Sequence, residues 1–406
     1  MSPGYKSMRR NSRHFRLLSV KVSWSEAAIR TILTIALLTM PVAMATSSQT
    51  PGGQAYRLYV ASEAADTIAL VRFDAAGGHV ERVIDTGIMP TDIDGPHGLA
   101  VSPDKKFLYV SLAHGQPFGT VLKYSTATHA VVGRVTLGMF PATLQTTPDG
   151  DFLYVVNFNL HGDRVPSSVS VVATDGMIEA ARLKTCRMPH GSRLNKSGDR
   201  QYSVCMMDDM LVEADTRALK IARHFILTAG REHGMTGAPE AAAGNDAAHA
   251  GHGTEPPPAG SQACSPTWAQ PSADGDTVFV ACNGTSEIVE IDVRGWSMRR
   301  RWPAGSGVYN LAVTPDGRLL IATNRRGQSV SVYDIASGTE RARISTKRRV
   351  VHGVVVSPDN RYAFVSIEGI ADEPGTVEMI DLTSLKSIAS VDVAPQAGGI
   401  DLFDVK

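Results

Sequence analysis

A unit of about 40 residues recurs along this chain, and that repeat limits the fold more than any other feature. Its most regular copy is VYNLAVTPDGRLLIATNRRGQSVSVYDIASGTERARISTK, residues 308–347. NLAV, LLIAT, SVSVYD and RARIS have strand composition, and Thr-Pro-Asp-Gly and Ala-Ser-Gly supply turn chemistry between them. Each unit therefore predicts four antiparallel strands, A to D. The second strand is the easiest to follow: LYVASE (58–63), LYVSLA (108–113), LYVVNF (153–158), YSVCMM (202–207), VFVACN (278–283), LIATNR (320–325) and AFVSIE (363–368). Seven copies predict seven blades.

One blade must be composite. AGGIDLFDV (397–405) has strand A character and no successor, whereas AYRLYVAS (55–62) is a strand B with no strand A before it. Joining them closes the ring and removes the sheet edges an open array would expose. The expected fold is all-β: a seven-bladed β-propeller of four-stranded antiparallel blades, closed by the N- and C-terminal strands and spanning 55–406. On the SPDG-like turn and the LYV strand, the chain resembles the YVTN-repeat seven-bladed propellers of exported bacterial and archaeal surface-layer proteins. The resemblance implies fold more than function, because this architecture serves binding proteins, lactonases, and haem and copper enzymes alike.

The first 45 residues read differently. A basic start (Lys6, Arg9, Arg10, Arg13, Arg16, Lys21, Arg30) precedes the uncharged run TILTIALLTMPVAMA, which ends in Ala43-Met44-Ala45. This predicts a signal peptide over 1–45 and a short linker over 46–54, hence a periplasmic or secreted protein. The run is shorter than the ~20 residues of a membrane span, which makes a retained anchor the weaker alternative and predicts no stable span after cleavage. Cleavage removes seven basic residues and one acidic residue from 40 of each, leaving 33 against 39. A mildly acidic protein gives a nucleic-acid partner no electrostatic support.

The strand A positions that should line the central channel hold His97, Ala142, His190, Thr267, Tyr309 and His352, with Trp268 beside Thr267. In three blades a His-Gly pair occupies this place. Either the imidazole is a blade feature that bonds neighbouring backbone, or the repeat gathers ligands. His114 and His161, in B to C loops, are expected on the same face. The D to A linker 231–263, rich in Ala, Gly and Pro, breaks the repeat and predicts a mobile insertion; it carries His233, Met235, His249 and His252 on that face. It is either a tolerated low-complexity segment or a metal-capturing one. His97, His190, His352, His233, His249 and His252 are thus candidate metal ligands, with copper or zinc as the ions that imidazole and thioether suit. Blades two, four and seven are not neighbours, so the three strand A histidines are expected too far apart to share one ion.

Four cysteines in an exported chain predict disulfides. The near-equal spacings favour Cys186 with Cys205 and Cys264 with Cys282, and thiolate ligation is the alternative. CMMDDM (205–210) offers Asp208 and Asp209 as ligands or a general base, or simply methionines that pack. Glu368, Asp372 and Glu373 offer a second acidic group. No phosphate loop, nucleophile elbow or metalloprotease motif is present. The favoured function is therefore an exported propeller that binds a small-molecule, metal or protein partner on the histidine face. The alternative is a metal-dependent enzyme, a copper or haem oxidoreductase or a lactonase-like hydrolase, at the channel mouth.

Overall fold

The computed structural model describes residues 54–87, 93–114, 118–240 and 263–406. The expected signal peptide, nearly all of the linker after it, His249 and His252 lie outside the described residues. Within them the chain forms seven antiparallel sheets, six of four strands and one of five. Ala397–Val405 pairs with Tyr56–Ser62, which pairs with Thr67–Asp74 and then Gly77–Asp85, so the ring closes through the expected composite blade. No described helix is long and apolar enough to cross a membrane.

Burial follows position in the blade. Strand B is covered on both faces by neighbouring blades, so Tyr362–Glu368 is buried at every position but its first. Strand D of the same blade, Lys386–Val393, is the outer edge and is mostly exposed. The core therefore lies between blades; one cluster joins Tyr56, Val60 and Phe73 of blade one to Phe364, Met379 and Val393 of blade seven. The Ser/Thr-Pro-Asp turn fixes the step from A to B through one hydroxyl. Ser102 donates to Asp104 (2.6 Å) and accepts from the Phe107 N–H (2.9 Å), and Thr314 does the same with Asp316 and Leu319.

The glycine of each His-Gly pair is architecture. A Cβ at Gly98 would stand 2.0 Å from the Ala142 carbonyl oxygen, and one at Gly191 would stand 2.3 Å from that of Thr267. Strand A of one blade touches the backbone of the next at this point, where a side chain has no room. Hydroxyls reinforce the ring of carbonyls: Ser111 accepts from the Gly98 N–H and donates to Ala142 O, and Thr323 links the Asn310 N–H to His352 O in the same way.

Two expectations are corrected. The strand B register of blade four is one residue earlier than the sequence copy implies, because Cys205 pairs with Pro189 as Leu112 pairs with Pro96. The equivalent hexamer is thus 201–206. The insertion also begins with structure: His233–Thr236 adds a fifth strand to blade four by pairing with Lys220–Ile226. Its partners explain it. His224 bonds Gly237 O (2.9 Å), Gly234 lies against Trp296, and Arg301 of blade five pairs with Glu232 (2.7 Å).

Candidate functional site

Two stacked rings of side chains form the channel mouth. The inner ring is the strand A position: His97, Ala142, His190, Thr267, Tyr309, His352 and, now that the composite blade is in register, Gly398. The outer ring is the residue ending each strand B hexamer: Glu63, Ala113, Phe158, Met206, Asn283, Arg325 and Glu368. Outer-ring residues meet the inner ring of the next blade. Glu63 bonds His97, Phe158 packs edge-on against His190 at 4.7 Å, and Asn283 donates to Val308 O.

The three His-Gly histidines do three different things. His190 donates from Nδ1 to Thr267 O (2.8 Å), the role of a blade feature, and its Nε2 faces the Tyr309 hydroxyl at 3.2 Å. His97 donates from Nδ1 to Glu63 (2.7 Å). His352 is buried, with Nδ1 lacking a hydrogen-bond partner among the described residues and Nε2 3.7 Å from Glu368. The rings are closer than blade order suggests. His97 and His352 meet edge-on at 5.8 Å because the blade between them presents Gly398, and Tyr309 bridges His352 (4.9 Å) to His190 (5.6 Å). Together they floor the mouth.

Electrostatics divide this mouth in two. On one side Glu63 accepts from His97 and from His114 Nε2, each at 2.7 Å. Burial opposes its ionisation, but the attraction of His97 and the hydrogen bonds from both imidazoles prevail and hold the carboxyl well below the usual carboxylate range. The bond to Glu63 raises His114, whose ring stacks on His161 and meets Phe140 edge-on. On the other side burial pushes Glu368 up, against the pull of Arg325 at 3.1 Å. Arg325 also covers the Tyr309 ring, whose hydroxyl burial pushes up to about 12. Burial lowers His190 to about 4 and holds His352 well below the usual imidazole range, so both are neutral near pH 7.

The other candidates fall outside this centre. Asp208 caps Arg187 by accepting its backbone N–H (2.7 Å), and Asp209 accepts the N–H groups of Cys264 and Ser265 (3.0 and 2.8 Å); both carboxylates hold backbone. Asp372 and Glu373 are exposed. The cysteines form the two expected bridges, Cys186–Cys205 and Cys264–Cys282, all four buried, which removes thiolate ligation. His233 stands on the fifth strand, four spacings or roughly 19 Å out from strand A. Among the described residues no group of three or more His, Cys, Asp or Glu is placed to hold a metal ion. Both nitrogens of His190 are already engaged, by Thr267 O and the Tyr309 hydroxyl, whereas His97 is engaged through Nδ1 alone.

Above the floor, on the side of blades five to seven, lies an open basin of about 790 Å³ lined by Met206, Tyr309, Arg325, Arg326, Arg349 and Glu368, among others. Below the floor is a small chamber lined by His97, His190, His352, Arg193, Trp268 and Asn310, among others. Sequence reasoning missed Glu63, Arg325 and Phe158. Their signal was the column of residues ending each strand B, where Glu63 and Glu368 coincide.

The lactonase, 7-bladed β-propeller family model matches residues 50–180. Solved structures extend the likeness over the whole propeller. The periplasmic gluconolactonase PpgL of Pseudomonas aeruginosa is 19% identical, with 87% of this chain and 100% of that one covered and a TM-score of 0.62. Hydrazine synthase of Kuenenia stuttgartiensis is 19% identical over 80% and 97%, TM-score 0.58. A functionally unknown protein of Desulfotomaculum acetoxidans is 14% identical over 86% and 98%, TM-score 0.61. At these identities the likeness is one of fold. None of the curated proteins compared matches the chain significantly.

Proposed function

We propose that this is an exported propeller, akin to the YVTN-repeat proteins, that binds a small anionic ligand in the basin over blades five to seven. The carrying observation is the charge of that basin. Three guanidinium groups, Arg325, Arg326 and Arg349, line it with the carboxylate of Glu368, which Arg325 already neutralises. Arg326 is held by Asn283 Oδ1 (2.8 Å) and Asn283 O (2.7 Å), while Arg349 is exposed, so net positive charge faces a cavity of small-molecule size. The leader sequence, the two disulfides and the likeness to a periplasmic protein support export. D-Gluconate is a suitable first probe. Calorimetry should record saturable binding to the mature protein, weakened about tenfold or more by replacing Arg326 and Arg349 with Ala together. No saturable heat with either gluconate or inorganic phosphate would remove the reading.

Hydrolysis of a lactone in the same basin is a second reading, favoured by Glu368. A buried carboxyl that burial pushes up, set against Arg325, accepts a proton more readily than an ordinary carboxylate and so has the character of a general base. Water would attack the ring carbonyl and pass its proton to Glu368. Arg325 would stabilise the oxyanion, and the ring C–O bond would break to give a hydroxy acid after the alkoxide regains the proton. Glu368→Gln should then lower kcat on gluconolactone by roughly 100-fold or more with little change in KM. Unchanged hydrolysis, followed by pH-stat, would leave binding as the function.

A further inference from the structure

The chamber beneath the histidine floor is the most unusual part of the molecule, because its walls carry polar atoms that the protein does not satisfy. Its volume of about 40 Å³ is room for roughly three waters by the 10–15 Å³ each requires. Three of its lining side chains, all more than nine-tenths buried, hold a polar atom with no hydrogen-bond partner among the described residues: His352 Nδ1, Trp268 Nε1 and Asn310 Oδ1. An unpaired polar atom in such a place is costly, so three around one cavity point to a guest.

The guest's chemistry follows from the donors. Trp268 Nε1–H can only donate. Arg193, at the chamber's lower end, also only donates; one N–H meets Ser192 O (2.9 Å) and the guanidinium lies on the Trp268 ring at 4.4 Å. Asp401 acts on it electrostatically without an ion pair, and burial lowers the half-buried Arg193 to about 10. Asn310 presents Nδ2 to the cavity once its amide is turned about its last torsion, and His352 presents N–H in its Nδ1 tautomer. Glu63 and Glu368, the nearest acids above the floor, are engaged by His97, His114 and Arg325.

We infer that the channel chamber is a binding site for a small anion of up to about four heavy atoms, such as nitrate, formate or a halide, held by Arg193, Trp268, Asn310 and His352. This site is separate from the basin above and does not depend on how the basin is used. Pure water, which would satisfy the same atoms without needing Arg193, is the competing occupant. The test pairs two measurements on the mature protein. Crystals soaked in sodium bromide should give an anomalous peak within hydrogen-bonding reach of Trp268 Nε1. At constant ionic strength, nitrate should raise Tm saturably, with an apparent affinity about tenfold weaker in Trp268→Phe, which keeps the ring and removes one donor to a charged group. Arg193→Met should abolish the response, and Arg349→Ala, in the basin, should leave it unchanged. Water density in place of bromide, or the same nitrate response in wild type and Trp268→Phe, would overturn the inference.

Discussion

Glu63 and Glu368 hold the same repeat position in adjacent blades, one and seven, and are almost equally buried, at 7% and 9% exposure. Their electrostatic fates are opposite. Glu63 is held ionised by two imidazole N–H groups at 2.7 Å, whereas Glu368, facing Arg325 at 3.1 Å and His352 at 3.7 Å, is pushed toward its protonated form. Repeat position and burial therefore do not set the charge of a carboxyl in this fold; the number and closeness of its donors do. One side of the mouth has its carboxylate saturated by imidazoles, and the other gathers a carboxyl and three guanidinium groups around the basin.

The largest expected effect tests the saturated side. Glu63→Ala leaves His97 and His114 without their acceptor and should cost about 3 kcal/mol in denaturant unfolding. Glu368→Ala should cost only about 1 kcal/mol. Equal losses would break the contrast between the two carboxyls.

A subtler test is the pH dependence of stability. The Glu63 carboxyl is depressed on folding, so its contribution is present above about pH 4.5 and is lost as pH falls through the folded value. His114 is raised, so its share is complete below about 6.5 and is lost as pH rises through its folded value. Glu368 is raised, so its ionisation works against the fold as pH climbs above about 4.5. Glu63→Gln should therefore flatten the acid limb, and Glu368→Gln the decline above it. Buried neutral His190 adds a rise in stability between about pH 4 and 6.5 that both variants retain. Difference curves of the same sign would refute the opposed assignments.

The smallest effect belongs to Arg349. Exposed at the basin rim, it should change stability by less than ~0.5 kcal/mol when replaced by Ala, while gluconate affinity falls. A thermal melt beside the calorimetric titration checks both.

The sequence carried the architecture because blades repeat a turn and a strand whose chemistry is local: the Ser-Pro-Asp turn, the apolar second strand and the paired cysteines could all be read from neighbours. The site was legible only in part, since it is made between blades. His97, His190 and His352 were visible in register, but their proximity depends on Gly398, in the one blade whose first strand comes from the far end of the chain. Glu63 went unnoticed for the same reason. In blade four the motif offered no Pro-Asp turn to anchor the register, so Met207 took the place that Met206 occupies. Asp208 and Asp209 looked like ligands because composition cannot reveal that a carboxylate is spent on backbone N–H groups two linkers away.

The closing strand has a consequence in time. Arg57 and Asp404 are bonded side by side although 347 positions separate them in the chain. A ribosome makes every other blade before the strand that seats Gly398 between His97 and His352 exists. Until then the floor lacks its closure between His97 and His352, and the edge of Tyr56–Ser62 is unpaired. The contact between His97 and His352 is thus the last part of the channel mouth to be made, and an interrupted chain yields a protein with most of its mass and an unclosed ring.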